Sequence, residues 1–259
     1  MDTPSASTVA PKYRIWLPFW AVFQTDLRQT IRGWTYRTWL LCLVVLTVGM
    51  LLYRAGLYRE AKIVQDSVAY VKDVIHWVVL GSAAMIAALT VGCISSERGT
   101  LADAVLSRGI SRYQYFLAKL YSRMVSVIGT FSAVGLAAVV GSYFLLNEQK
   151  LSLMGCFMAL LTLSSLYAAV VACGVTISAF SQSTLMGMTI LWMGLYGGAL
   201  VMALLASAIP TPLQFLELLP NILQGNYDPN RIGQFIGGAA AIGLIATVLG
   251  ITHFARSDV

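Results

Sequence analysis

Charge is what this chain has least of. Only 11% of its 259 residues are Asp, Glu, Lys or Arg and 58% are apolar, against about 25% charged residues in an ordinary soluble domain. A soluble globule is excluded. Histidine is nearly missing too: His76 and His253 stand far apart, which leaves no ligand set for metal-assisted hydrolysis. The four cysteines (Cys42, Cys93, Cys156, Cys173) occur singly, without C-x-x-C spacing, and read as small packing residues. No Gly-Lys dipeptide occurs, so no P-loop is available to cradle nucleotide phosphates. The only G-x-S, Gly109-Ile110-Ser111, falls in a polar basic stretch rather than at the depth an intramembrane serine peptidase needs. The chain therefore reads as no enzyme, with no catalytic, metal or cofactor residues of its own.

What the sequence has in abundance is uncharged runs: Thr38–Tyr53, Val74–Ser96, Met124–Asn147, Leu151–Leu216 and Ile232–Ala255. About 20 apolar residues cross a bilayer core as a helix, so the chain is expected to be an all-α membrane protein. The run Leu151–Leu216 is far too long for one crossing, and its polar cluster Ser181-Gln182-Ser183-Thr184 divides it. The first run is extended by Arg54 snorkelling from one end and by interfacial Trp34 and Trp39 at the other. The expectation is a single domain over 1–259 with six transmembrane helices, at about 35–57, 74–96, 122–146, 153–180, 185–208 and 233–255.

Six spans put both termini on one side. With the termini inside, eleven of the seventeen Lys and Arg residues fall on inner segments, so both termini are expected to be cytoplasmic by the positive-inside rule. The formal charge of +6 then reflects basic inner loops beside anionic lipid and calls for no nucleic acid. No cleavable signal peptide is visible, because the first residues are polar and include Asp2.

Ahead of the first span, Trp16, Trp20, Phe23, Leu27, Ile31 and Trp34 recur in steps of three and four, while Thr25, Arg28, Gln29 and Arg32 take the opposite side. Residues 12–33 thus read as an amphipathic helix lying in the interface, with Gly33 offering a bend before the span. The prolines fall before or at the start of this helix or between spans five and six. There, in 209–231, the apolar stretch Leu213–Leu219 bracketed by Pro212 and Pro220 predicts a short re-entrant or interfacial helix. Its one carboxylate, Glu217, sits at a possible outer mouth. Gly194-x-x-x-Gly198 allows close helix approach, within one protomer or between two.

Residues 95–119 depart from the rest in being polar, basic and punctuated. Thr100-x-x-Asp103 is a capping box ahead of Leu101 and Leu106, Gly109 follows as a stop, and Ser111-x-x-Gln114 opens the next helix. Helix, turn, helix is the expected arrangement, and a rigid short helix there can seat in a groove of a partner and pass movement to the spans.

The same residues carry a resemblance. Glu97-Arg98-Gly99-Thr100-Leu101, then Leu106-Ser107-Arg108-Gly109-Ile110-Ser111-Arg112, then Ala118-Lys119-Leu120 resemble the stretch after the second span of type-2 ATP-binding-cassette exporter permeases. The ending Phe254-Ala255-Arg256-Ser257-Asp258 is similar to that family's tail. Gly109 stands where the family has proline, Ala118 where it has glycine, and a second acid near Glu97 is missing. The resemblance implies a multi-pass permease subunit of the plasma (inner) membrane, with a coupling helix in the 97–112 loop. It implies that a separate cytoplasmic ATPase subunit, binding ATP and Mg, docks on that loop (Glu97, Arg98, Gly99, Thr100, Leu101, Asp103, Leu106, Arg108, Gly109, Ser111, Arg112) and on the interfacial helix (Trp16, Trp20, Phe23, Arg28, Arg32). It further implies a second six-span protomer, as homodimer or heterodimer, and a pathway between protomers lined from spans two and five, for which position selects Met85, Leu89, Met188, Trp192 and Tyr196. Two other readings stay open: an ATPase-coupled complex that transduces force to a partner without moving cargo, and an ion-coupled transporter.

Overall fold

A backbone crossing hydrocarbon has to satisfy its N–H and C=O groups internally, which continuous helices do. The computed structural model describes residues 16–61, 66–95, 97, 110–146, 150–181, 183–204 and 212–256. Among them run the helices α1 (Leu17–Arg32), α2 (Trp34–Ala61), α3 (Ser67–Ser95), α4 (Arg112–Leu145), α5 (Leu153–Phe180), α6 (Thr184–Leu204), α7 (Pro212–Leu223) and α8 (Pro229–Arg256). Five of these, α2, α3, α4, α5 and α8, are long and apolar enough to cross a membrane. The uncharged α6 has 21 residues, about 31 Å at the helical rise.

The long helices alternate in direction. At one end of the bundle the last turn of α3 meets the end of α5 and the start of α6: Ser178 Oγ accepts from the backbone N–H groups of Ile94 (2.9 Å) and Ser95 (3.0 Å), and Ser95 Oγ lies 3.2 Å from Thr184 Oγ1. The end of α8 reaches the same place, where Phe254 stacks on Tyr115 of α4. At the opposite end, Arg54 of α2 pairs with Asp73 of α3 at 2.5 Å, so the expected snorkelling arginine is instead drawn sideways to a carboxylate. There too, Ser152 ahead of α5 donates its backbone N–H to Leu223 O of α7 at 2.8 Å.

The centre belongs to α3 and α5, whose Val71, Val74, Val78, Ile86, Val171, Ala172, Val175 and Ala179 are all buried. The most extensive interface joins α5 to α8. By contrast, α2 and α8 turn Val45, Leu52, Leu244, Ile245 and Val248 outward, as apolar faces meeting lipid should.

Local chemistry sets the breaks. The expected interfacial helix is described from residue 17, with Pro18 in its first turn, and it stops at Gly33, whose extended backbone (φ −61°, ψ 138°) turns the chain into α2. The Ser181–Thr184 cluster does separate α5 from α6, with Ser183 Oγ accepting from Met186 N. Ser111 caps α4 in a reciprocal box with Gln114. The expected helix Leu213–Leu219 needs correction: α7 runs through Pro220 to Leu223. A proline removes one donor and crowds one carbonyl, and burial of Leu219, Ile222 and Leu223 outweighs that cost. α4 starts at Arg112, directly after the expected Ser111 cap and ahead of the expected crossing limit near 122, and other spans begin or end several residues from their expected limits.

Two glycines are required by geometry. Gly225, at φ +90°, ends the turn after α7 in the left-handed region. Gly155 of α5 lies so close to α7 that a Cβ would overlap the Ile222 carbonyl oxygen. Among the described residues nothing lies within 4 Å of a Cβ added at Gly194, Gly197 or Gly198 of α6. Replacing Gly155 by alanine is expected to destabilise the protein by about 1–3 kcal/mol. Gly129→Ala, where nothing lies within 4 Å, should leave stability unchanged or slightly raised. Thermal unfolding of the two variants in detergent compares them directly.

Candidate functional site

At 34 residues, α4 is about 51 Å long, some 20 Å more than a hydrocarbon core of about 30 Å. Its charges, Arg112, Lys119 and Arg123, all lie toward its start, and the uncharged run begins at Met124. The steps of three and four between Arg112, Tyr115, Lys119, Ser122 and Arg123 gather them on one stripe. That stripe meets α1 on one flank and Glu97, just past the end of α3, on the other.

The resulting junction is held by ions. Lys119 Nζ lies 2.7 Å from Asp26 Oδ1 and 2.6 Å from Glu97 Oε1. Arg123 Nη2 donates to the same Asp26 oxygen at 3.2 Å, and Ser122 Oγ donates to the other. The Tyr115 hydroxyl donates to Glu97 Oε2 at 2.5 Å, and the Lys119 ammonium stands 5.7 Å from the centroid of the Tyr115 ring. Among the described residues two acids, Asp26 and Glu97, face two bases, Lys119 and Arg123. Asp26 and Lys119 are each only 3% exposed, and charges this buried persist only when paired and hydrogen-bonded. The stripe also reaches α8: Arg112 Nη1 donates to Ala255 O at 3.3 Å, and Tyr115 stacks on Phe254 with centroids 6.0 Å apart.

Chemically this is a joint. Both carboxylates are engaged by cations and hydroxyls of the same chain. Glu97 is thereby linked to α4, through Lys119 to Asp26 and α1, and through Tyr115 to Phe254 of α8.

Of the residues singled out from sequence, the structure brings Glu97 and Arg112 to this junction, with Ser111 as the cap of α4. Arg98, Gly99, Thr100, Leu101, Asp103, Leu106, Arg108 and Gly109 lie outside the described residues. On α1, Trp16 and Trp20 are exposed, Phe23 is half-buried, and Arg28 and Arg32 point outward. The pathway candidates divide between two apolar clusters and the exposed side of α6. Leu89 is buried in the main core with Met85 beside it, while Met188 packs on a smaller cluster of Ala87, Val91 and Leu191. Trp192 stacks on the exposed Tyr196 at 5.1 Å. Glu217 is exposed on α7.

Sequence reading missed Asp26, Tyr115, Ser122 and the inward placement of Lys119 and Arg123, which it treated as loop charges. A signal was present. Asp26 is the only acid between Asp2 and Glu60, and on α1 it lies about 100° around from the aromatic stripe. No family model, curated protein or solved structure matches the chain.

Removing one partner from a buried pair costs about 3–5 kcal/mol, which is the loss expected for Lys119→Met and for Asp26→Asn alone. The double variant is expected to lose less than the sum of the two, by about 1–3 kcal/mol. Unfolding of the purified proteins, followed by tryptophan fluorescence, measures that coupling; strict additivity would mean the two side chains do not interact.

Proposed function

We propose that the chain is the membrane-spanning permease subunit of an ATP-binding-cassette exporter, driven by a separate cytoplasmic ATPase subunit. In this reading α6 also crosses, which gives six spans, and the end of the bundle carrying Glu97, Ser111 and the end of α8 faces the cytosol. The observation that carries it is the position of Glu97. This residue opens the acid-x-Gly-Thr-Leu stretch that resembles the family's coupling segment, and it is tied through Lys119 to α1 and through Tyr115 to α4. A partner moving the connection between α3 and α4 would thus move the interfacial helix and two long helices together. Among the described residues nothing packs on the glycines of α6, which supports a second protomer on that side. The ionisable residues of the junction lie at the start of α4, away from the midplane where proton or sodium coupling would need them.

Purification of the tagged protein in mild detergent tests the proposal. An ATP-binding-cassette ATPase is expected to co-purify, and Arg98→Glu combined with Arg108→Glu is expected to abolish that association while elution profile and helix content stay unchanged. Absence of any ATPase from the unmodified preparation, or its full retention by the variant, overturns the reading.

A further inference from the structure

The helix α1 has three faces rather than two. Asp26 and Thr30 are buried toward α4, and Trp16, Trp20 and Ile31 are 61%, 55% and 45% exposed along an apolar side. Thr25, Arg28, Gln29 and Arg32 form the third face and, with Gly33, line an open notch of about 560 Å³. The order around the helix matters. With α4 on one flank and the aromatic side in the acyl region, the Arg28–Arg32 face stands at the level of lipid phosphates, where an arginine snorkels.

Neither arginine is paired with a carboxylate among the described residues. The acid that α1 itself carries, Asp26, is consumed by Lys119 and Arg123, so it does not neutralise them. Arg28 and Arg32 lie one turn apart on the same helix, giving two planar forks directed at one place. Gly33 has no side chain to occupy the notch beside them. Arg37, in the first turn of α2, is exposed as well and adds a third positive charge nearby. Trp34, 83% exposed, supplies an interfacial ring beside the notch.

We propose that this notch is a binding site for the phosphate headgroup of an anionic phospholipid, with Arg28 and Arg32 as its ligands and Gly33 as its floor. The inference rests on α1 lying in the bilayer interface and does not depend on an ATPase partner. The site places an acidic lipid against the helix that Asp26 joins to α4, so lipid composition reaches the charged junction through α1.

Native mass spectrometry of the full-length protein in detergent, titrated with phosphatidylglycerol or with phosphatidylcholine of the same chains, reads the site. Phosphatidylglycerol is expected to be retained preferentially. R28Q/R32Q is expected to weaken its retention roughly 30-fold, at about one favourable contribution per arginine near a membrane surface, without changing that of phosphatidylcholine. R28K/R32K, which keeps both charges but loses the planar forks, should keep only part of the preference and R59Q, at the far end of α2, all of it. In the unmodified protein, raising salt from about 0.05 to about 0.5 M should weaken the preference, and millimolar inorganic phosphate should not displace the lipid. Equal retention by R28Q/R32Q, or displacement by free phosphate, overturns the proposal. So does loss of a co-purifying protein in R28Q/R32Q with lipid retention intact, which would assign the face to a protein partner.

Discussion

An ammonium held between two carboxylates at the rim of an apolar slab has few ways to move. Lys119 occupies that position, and each carboxylate belongs to a different stretch of chain: Asp26 to α1, packed on α4, and Glu97 to the residue just beyond α3. Withdrawing either acid leaves a charge in surroundings of low polarity, at a cost of several kcal/mol. The pairing therefore fixes the angle at which α1 meets α4 and the point at which the chain emerges from α3. The three-faced character of α1 follows from the same contact, because a helix anchored by Asp26 can turn only its remaining sides to lipid and to water.

Away from the junction the bundle is joined by hydroxyls and small residues. Tyr36 meets Thr130 at 2.6 Å, Trp39 donates to Ser82 at 3.2 Å, Tyr70 donates to the Thr47 carbonyl at 3.0 Å, and Thr176 donates to the Ala246 carbonyl at 2.8 Å. In hydrocarbon no hydrophobic force draws apolar helices together, so such bonds, at about 0.6 kcal/mol each, and close backbone approach at residues such as Gly155 specify which helices are neighbours. The apolar exterior of α2 and α8 is the complement: it has nothing to specify.

The helices were legible in the sequence because each is a local property. Uncharged runs, the Ser111-x-x-Gln114 box, the Ser181–Thr184 cluster and the bend at Gly33 are written in contiguous residues, and they reappear in the structure nearly in place. The junction was not legible because its partners are 93 positions apart in the case of Lys119 and Asp26, and charge counted by segment assigns such residues to water. A two-sided wheel also hid the third face of α1: Asp26 looks like part of the polar side until a neighbouring helix is present to cover it. At Pro220 a local rule, that proline ends a helix, lost to the burial of leucines beyond it. Of the candidate site, then, the capped start of α4 and Glu97 could be read, and the ions that lock them could not.

The clasp made by Ser178 bears on how firmly one end of the bundle is held. One hydroxyl oxygen receives two successive backbone amides at the close of α3, so the end of α3 is held on α5 while Glu97 just beyond it is held by Lys119. Two attachment points on different helices leave the end of α3 little freedom to shift against either, and α8, whose Phe254 stacks on Tyr115, closes the same end of the bundle.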